Sequence, residues 1–274
     1  MRSLISMLDG KLEALGGLRL LVYAAVLVLM AMAARKKRWL SPSGIAASIV
    51  SGAIILYIGG FSAFMELLFF FLAGSVIGKA MKRENTYERK GNERDLAQVL
   101  ANSLPAVIAI FLYRLTPYKD AALIAYSSAI AEALADTWSG DFGQLSDKDP
   151  LSIMTFTRVP RGISGGVTAM GFMGGMAGAM LIALLHIGTY PPSVSSFLII
   201  SGAGFLGSVL DSFLGASVQV HYRDRNGCLT EKEGDEKGRF ERARGIPFID
   251  NDAVNLISGF FSASVGFFLF SLVG

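Results

Sequence analysis

The residues best suited to chemistry lie in one stretch, Ala131-Glu-Ala-Leu-Ala-Asp-Thr-Trp-Ser-Gly-Asp-Phe-Gly143. An apolar run carries Glu132 and Asp136 four residues apart, a spacing that places both carboxylates on one face of a helix. The chain then enters a predicted loop that holds Asp141. Carboxylates inside a run long enough to cross a bilayer are costly and usually functional, and hard oxygen ligands suit a divalent cation. The alternative, which this stretch leaves open, is a helix end that has already reached water.

The composition indicates a polytopic membrane protein. The chain has 274 residues, of which 52% are hydrophobic and only 17% charged, whereas soluble domains carry roughly 25% charged residues. The net charge of +3 lies in loops between apolar runs, a pattern that serves membrane topology and anionic lipid headgroups rather than nucleic acid. The single cysteine, Cys228, excludes an intrachain disulfide. We expect one polytopic domain over residues 1–274, with an N-terminal segment at 1–17 and no nucleic-acid partner.

The apolar segments predict an all-α integral membrane protein. A helix that spans a bilayer needs about 20 mostly apolar residues. Eight segments meet or approach that length, the second and third being joined by a Gly59-Gly60 turn that predicts a tight helical hairpin. The predicted spans are 18–34, 43–59, 61–78, 97–115, 120–138, 166–187, 194–214 and 251–273.

The distribution of basic residues predicts the orientation of these spans. Four loops, 35–42, 79–96, 139–165 and 215–250, hold four, six, three and seven of the 25 Lys and Arg residues. With eight spans, all four loops fall on the same side of the membrane, which the positive-inside rule assigns to the cytoplasm. We therefore expect a multi-pass protein of the cell membrane.

Polar residues recur every four residues at the cytoplasmic ends of four spans, which predicts a shared polar cavity that faces the cytoplasm. Buried polar groups in hydrocarbon need partners, so such stripes are expected to face one another. The alternative is that helix ends are simply more polar than helix middles. The stripes are Arg94, Gln98 and Asn102; Ser128, Glu132 and Asp136; Gly204, Ser208, Asp211 and Gly215; and Asn251, Asn255, Ser258 and Ser262, with Asp250 and Asp252 beside the last.

Two cytoplasmic loops carry further candidates. The sequence Arg161-Gly162-Ile-Ser164-Gly165-Gly166 runs into the predicted sixth span, an arrangement that suits a phosphate because glycine backbone amides, arginine and a helix N-terminus all favour anions. The glycines that follow it at four-residue spacing predict close helix packing. In the loop 215–250, Asn226-Gly227 predicts a β-hairpin with a type I′ turn. This loop is either a lid over a cytoplasmic site or a solvated connector.

Together these features suit phosphoryl transfer at the membrane. Carboxylates hold a magnesium ion that neutralises phosphate oxygens, while arginine and backbone amides stabilise the developing charge. The surrounding bilayer suggests that the other substrate is a lipid. The sequence contains neither a Walker A motif nor the protein-kinase motifs.

Four separated segments carry a resemblance to a known family. They are Gln98-Val-x-x-Asn102; Asp136-Thr-Trp-Ser-Gly-Asp141-Phe-Gly143 with Thr155 and the Arg161–Gly166 run; Gly207-Ser-x-x-Asp211-Ser-x-x-Gly215; and Asp250-Asn-Asp252-x-x-Asn255. From about Ser41 onward the chain resembles the family that contains the phytyl-phosphate kinase of vitamin E biosynthesis, akin to the CTP-dependent polyprenol and dolichol kinases. Relatives often have Glu where this chain has Asp141, and some carry cysteine pairs where this chain has Cys228 alone.

The resemblance implies an integral membrane kinase that converts an isoprenyl monophosphate, such as geranylgeranyl or phytyl phosphate, to its diphosphate with CTP or another nucleoside triphosphate and Mg²⁺. Oligomer formation is left open. Two alternatives remain: a cytidylyltransferase that joins CTP to a lipid phosphate, and a secondary transporter with a midplane polar site.

We assign roles to the matching residues as hypotheses. Asp136, Asp141 and Asp211 hold Mg²⁺ and the triphosphate, with Glu132 and Asp252 as assisting ligands. The remaining residues bind phosphate or orient the substrates: Asn102, Thr155, Arg158, Arg161, Gly162, Ser164, Gly165, Gly166 and Asn255.

Overall fold

The computed structural model describes residues 4–81, 93–191 and 193–273, and most of them are helical. The helices are α1 (Leu4–Ala14), α2 (Leu18–Lys36), α3 (Pro42–Ala80), α4 (Leu96–Leu115), α5 (Lys119–Gly143), α6 (Ala169–Thr189), α7 (Val194–Ser217) and α8 (Asn251–Val273). The strands are β1 (Leu151–Ser152), β2 (Gly166–Val167), β3 (His221–Arg223), β4 (Leu229–Thr230), β5 (Gly234–Asp235), β6 (Gly238–Arg239) and β7 (Glu241–Arg244). Because these strands occupy two loops only, helices build the body of the molecule, as predicted.

Six of the described helices, α2, α3, α4, α6, α7 and α8, are long and apolar enough to cross a membrane. Helix α3 is interrupted at Gly60, whose φ of 76° and ψ of −174° are not helical. Gly44 near its start and Gly74 near its end both contact Arg94, so the arms 42–59 and 61–80 run antiparallel as the predicted hairpin. Helix α5 occupies the predicted fifth span but is not among these six. The count of eight spans therefore stays a prediction.

A small polar cluster stabilises the turn of this hairpin, away from the basic loops. Asp9 of α1 accepts hydrogen bonds from the backbone amides of Phe61 and Ser62, at 2.6 and 2.9 Å, and so caps the second arm of α3. Deeper in the same arm, the Glu66 carboxylate lies 3.4 Å from Nδ1 of His186 in α6, and both side chains are buried. The pair joins two helices in the interior of the bundle.

Helix α5 is the centre of the bundle and packs against α3, α4, α6, α7 and α8. Every residue from Ala121 to Ala135 is buried. Neighbouring helices approach it closely at glycine: a Cβ atom added at Gly178 would lie 3.0 Å from the Leu134 carbonyl oxygen, and one at Gly204 would lie 2.6 Å from Ala131 Cβ. The small residues of α6 thus serve close helix packing, as their spacing predicts.

The basic loops lie together at one end of the bundle. Loop 35–42 joins the described part of loop 79–96, since Arg94 N donates to the Trp39 carbonyl at 3.0 Å. Loop 139–165 joins loop 215–250 through a hydrogen bond from Ser164 Oγ to Glu231 Oε1. Residues 82–92 lie outside the described residues. The described parts of the four loops therefore lie at one end of the bundle, and their side of the membrane stays a prediction.

The loop 215–250 folds into a three-stranded sheet of order β4-β3-β7. The predicted hairpin is present, with Tyr222 paired to Thr230. Its connecting loop covers residues 224–228 and is organised by the Asp224 carboxylate, which accepts from the amides of Asn226 and Cys228. The two-residue type I′ turn is therefore wrong, because Gly227 has a positive φ and Asn226 does not.

His221 anchors this sheet against the end of α7. Its Nδ1 lies 3.1 Å from the Gln219 carbonyl oxygen, and its Nε2 lies 3.5 Å from Nη2 of Arg244. Burial lowers the pKa of His221, and Arg244 also lowers it, while the Gln219 carbonyl and Glu231 act in the opposite direction. The imidazole is thus held neutral inside the loop.

The first prediction concerns the close contact between α7 and α5. We expect Gly204→Val to lower the free energy of unfolding by about 1–3 kcal/mol, because the added side chain overlaps Ala131. The control is Gly202→Val on the same helix, since a Cβ at Gly202 meets nothing within 4 Å. Thermal unfolding in detergent measures both. Equal stability of the two variants would contradict the packing described here.

The second prediction concerns pH. Because the pKa of His221 is lowered from its ordinary value of 6.5, the unfolded loop binds a proton that the folded loop excludes. The folded loop therefore loses stability as the pH falls below 6.5 through the lower folded-state value, and it gains nothing above 6.5. Hydrogen exchange of residues 219–246 should accelerate over that window beyond its intrinsic pH dependence, and His221→Gln should remove the effect. The same acceleration in the variant would rule out His221 as its cause.

Candidate active site

A polar cavity opens among the ends of α3, α4, α5 and α8, at the end of the bundle that holds the basic loops. Its volume is about 240 Å³. Its wall combines carboxylates, amides, one arginine and several glycines. The lining residues are Gly74, Gly78, Arg94, Gln98, Asn102, Asp136, Thr137, Gly140, Asp141, Glu231, Asn251 and Asn255. Four of the residues predicted from sequence, Asn102, Asp136, Asp141 and Asn255, thus meet in one place.

Helix α5 brings two carboxylates to this cavity. It continues to Gly143, so Asp141 lies on the helix and not in a loop as expected. Asp136 and Asp141 both line the wall. Helix α3 leaves room for them, since a Cβ atom added at Gly78 would lie 3.2 Å from Asp141 Oδ2. The last turns of α5 therefore supply the acidic side of the cavity.

The start of α4 supplies a cation and two amides. Asp95 begins the helix with a capping box, accepting from Gln98 N at 3.0 Å while Gln98 Oε1 accepts from Asp95 N at 3.1 Å. One turn on, Asn102 Nδ2 donates to the Gln98 carbonyl at 2.9 Å. The cap fixes the direction of α4, and with it the positions of the three side chains that enter the wall.

Arg94 is the arginine of the cavity. Its guanidinium carbon lies 5.7 Å from the centroid of the Phe70 ring, and a Cβ atom added at Gly74 would lie 3.2 Å from its Nη2. Burial lowers the pKa of the Arg94 guanidinium, and the nearby Asp141 carboxylate acts in the opposite direction. Arginine stays cationic under such conditions, so Arg94 brings a fixed positive charge to the wall that also holds Asp136 and Asp141.

Glu231, from the loop after β4, completes the wall and was not predicted. Ser164 Oγ donates to its carboxylate, and Gln219 Nε2 donates to Ser164 Oγ at 3.1 Å. Ser164 and Glu231 are 67 positions apart in the chain. No local pattern marks Glu231, since it lies in a polar run that also suits a solvated connector. The loop 215–250 therefore covers the site, which favours the lid over the connector.

The predicted phosphate loop lies outside the wall, apart from its link through Ser164. Gly166 begins strand β2, and α6 begins only at Ala169, behind the capping residue Thr168. This corrects the expectation that the run opens a helix. A Cβ atom added at Gly165 would lie 2.4 Å from Ala216 Cβ, so the glycines pack the loop on the end of α7.

The polar side chains of this loop bond within it. Arg161 Nε lies 3.4 Å from Asp149 Oδ1, and its Nη2 donates to the Asp147 carbonyl at 2.9 Å. Thr155 Oγ1 lies 2.7 Å from Thr157 Oγ1, and Arg158 is exposed. Thr155, Arg158, Arg161, Gly162, Gly165 and Gly166 are thus not brought to the cavity.

The other predicted carboxylates also lie apart from the wall. Glu132 is buried one turn deeper on α5, where a Cβ atom added at Gly207 would lie 2.5 Å from its Cγ. Asp252 is buried in the first turn of α8 and Asp211 is half-buried on α7. Within residues 4–81, 93–191 and 193–273, no group of three His, Cys, Asp or Glu side chains is placed to hold a metal ion. The predicted five-ligand set is not gathered in one group.

The wall nevertheless suits magnesium that arrives with a polyphosphate. Mg²⁺ is usually held by one or two carboxylates together with substrate phosphates rather than by an all-protein cage. Asp136 and Asp141 supply that number on one wall, and Arg94 and the amides of Asn102 and Asn255 supply donors for phosphate oxygens. The arrangement can bind a charged phosphate compound beside an apolar bundle.

Proteins similar to this chain occur in archaea, cyanobacteria and plants. The uncharacterized membrane protein MJ0933 of Methanocaldococcus jannaschii is 30% identical over 258 residues, covering 92% of this chain and 95% of the relative. Protein PGR of Arabidopsis thaliana is 31% identical over 270 residues, covering 87% and 92%. Protein VTE6, chloroplastic, of the same plant is 24% identical over 232 residues, covering 80% and 62%. No solved structure matches the chain.

A profile of one family covers most of the sequence. The family described as integral membrane protein DUF92 matches residues 25–263, which include every residue that lines the polar cavity. The resemblance to the phytyl-phosphate kinase-related family, expected from the four motif segments, is confirmed by these relatives. The chain therefore belongs to the DUF92 family of integral membrane proteins.

Proposed function

We propose that this protein is a membrane-embedded prenyl-phosphate kinase, which transfers the γ-phosphoryl group of CTP or another nucleoside triphosphate to an isoprenyl monophosphate. One observation supports this above the others: Arg94, Asp136 and Asp141 line a single polar cavity within an apolar helix bundle. Kinship with VTE6, in the phytyl-phosphate kinase-related family, supports the reaction class. Geranylgeranyl and phytyl phosphate are the acceptors that this kinship suggests.

In this proposal the carboxylates of α5 bind magnesium and the triphosphate. Asp136 and Asp141 would hold the ion, which would neutralise the transferring phosphoryl group when bound. Asn102 and Asn255 orient phosphate oxygens through their amides, and Glu231 closes the wall from the lid. Glu132, Asp211 and Asp252 lie outside the wall and are not ligands in this proposal.

In this proposal Arg94 has the phosphate-binding role that the sequence motif assigns to Arg161. It lies in the wall, whereas Arg161 is engaged by Asp149 and the Asp147 carbonyl. Its guanidinium stabilises negative charge on the two phosphates as they approach. An acceptor phosphate oxygen bonds to the γ-phosphorus, the bond from that phosphorus to the β-bridging oxygen breaks, and the nucleoside diphosphate leaves. A phosphate monoester is already anionic at neutral pH, so no dedicated base is required.

The proposal places the cavity on the cytoplasmic side, where nucleoside triphosphates are found. The clustering of the basic loops at the cavity end supports this orientation, because positive loops stay in the cytoplasm. Magnesium, the CTP preference and the identity of the lipid rest on the family resemblance.

The third prediction tests the metal-binding carboxylate. We expect Asp136→Asn to reduce prenyl diphosphate formation by about 100-fold or more, because the metal loses a charged ligand in the transition state. Glu132→Gln makes the same chemical change one turn deeper and outside the wall, and should keep activity within about threefold of wild type. The assay uses detergent-solubilised protein, Mg²⁺, CTP labelled at the γ-phosphate, and geranylgeranyl monophosphate.

The labelled product separates the rival reactions. Label in the prenyl diphosphate supports the kinase reaction. Release of labelled pyrophosphate together with formation of a cytidylyl lipid would show that the reaction is nucleotidyl transfer instead. Absence of turnover with CTP, ATP and UTP would overturn the proposal and favour the alternative that the protein is a secondary transporter. Equal losses in Asp136→Asn and Glu132→Gln would contradict the assigned metal site.

The fourth prediction compares the two arginines. We expect Arg94→Gln to lower kcat/KM for the acceptor by about 100-fold, since a charge-assisted contact to phosphate is lost. Arg161→Gln should lower it by about threefold or less, because its charge lies in the loop. The reverse order would show that the loop 155–166 moves over the cavity and that the sequence motif identified the catalytic arginine correctly.

A further inference from the structure

A second cavity adjoins the polar one and is almost entirely apolar. It lies between α2, the two arms of α3, and α4, and its volume is about 80 Å³. Its lining consists largely of aliphatic and aromatic side chains, among them Leu27, Met30, Leu67, Phe70 and Phe71. We call it the α2–α3 groove.

The groove and the polar cavity meet at the start of α4. Arg94, Gln98 and Asn102 line both. A molecule that occupies the groove thus has its polar end beside Arg94 of the polar wall. Among the described residues, the rest of the groove lining carries no cation, since Arg94 is its one charged member.

The serines deeper in the groove already have hydrogen-bond partners, and Ser48 Oγ donates to the Ile45 carbonyl at 2.9 Å. Ser51 Oγ and Ser103 Oγ lie 3.0 Å apart and both side chains are buried. The lining of the groove therefore suits a molecule with a hydrocarbon part inside the groove and an anionic group at its mouth. The enclosed volume of about 80 Å³ is less than a geranylgeranyl chain fills, so the groove holds one segment of a slender chain and the rest of the chain extends past α2 into the bilayer.

Helix α2 leaves this groove accessible from the bilayer. It packs mainly on α3, and only Tyr23 and Ala34 of its 19 residues are buried. Its other side faces outward, so α2 forms one wall of the groove while packing only loosely on the rest of the bundle. A lipid can enter laterally past such a helix without crossing the polar cavity.

We propose that the α2–α3 groove binds the isoprenyl chain of the acceptor, with its phosphate against Arg94, Gln98 and Asn102. This inference rests on the proposed function and adds to it the place of the lipid. The acceptor enters from the bilayer and the nucleotide from the basic end of the bundle, and the two phosphates meet at Arg94. The residues of α2 and α3 then set chain selectivity.

The first test fills the groove. Ala31→Phe on α2 places a ring among the lining residues, and Ala33→Phe places the same ring on the exposed side of the same helix. We expect Ala31→Phe to raise KM for geranylgeranyl phosphate by roughly tenfold or more while leaving KM for dimethylallyl phosphate unchanged. Ala33→Phe should leave both unchanged. Equal thermal stability of the two variants establishes that the difference is not one of folding.

A result in which Ala31→Phe affects long and short acceptors alike, or neither, would overturn the groove assignment. The split between acceptors is essential, because a merely structural role of Ala31 would lower activity with both.

The second test does not depend on turnover. A geranylgeranyl monophosphate that carries a diazirine on its chain should label residues of α2 and the α3 arms in wild-type protein, and unlabelled geranylgeranyl phosphate should compete while phosphatidic acid should not. Labelling of the groove without kinase activity would support lipid binding in the groove and contradict the proposed kinase function. Kinase activity together with labelling at residues outside the groove would support the proposed function and contradict lipid binding in the groove. Competition by phosphatidic acid would identify the groove as a general lipid site.

Discussion

The enclosure of α5 by five other helices is the constraint on which the rest of the structure depends. In hydrocarbon, a helix satisfies its own backbone hydrogen bonds, so α5 can be enclosed completely where its side chains are small. Alanine fills much of 121–135, and glycines on α6 and α7 bring those helices into contact with it. The enclosure ends where α5 carries Asp136 and Asp141, and the space that opens there is the polar cavity.

Arg94 joins this polar space to the apolar one beside it. Glycines at positions 44 and 74 on the two arms of α3 leave room for its backbone and its guanidinium, and the capping box of Asp95 fixes the helix that follows. The Arg94 guanidinium, at the boundary of the two cavities, gives a lipid phosphate a place to bind. The geometry thereby connects the membrane-facing groove to the chemistry proposed for the cavity.

Features with a local or periodic signal could be predicted from the sequence. The helices, the hairpin at Gly60 and the convergence of Asn102, Asp136 and Asn255 follow from apolar length, glycine and four-residue spacing. The sequence predicts that the fifth span ends at 138 and that Asp141 lies in the following loop, yet α5 continues to Gly143 and carries Asp141. Contacts between distant segments gave no such signal. Glu231 lines the cavity and is bonded to Ser164, which lies 67 positions earlier in the chain. Arg161, the arginine of the sequence motif, bonds within its own loop, and Arg94 lines the cavity instead.

The most direct test of the account is a structure of the wild-type protein with Mg²⁺, a CTP analogue that cannot transfer its γ-phosphate, and geranylgeranyl monophosphate. The account predicts a metal ion between Asp136, Asp141 and the triphosphate, with the acceptor phosphate beside Arg94 and its chain along α2 and α3. Nucleotide bound at the loop 155–166, or a metal held by Asp211 and Asp252 instead, would contradict it.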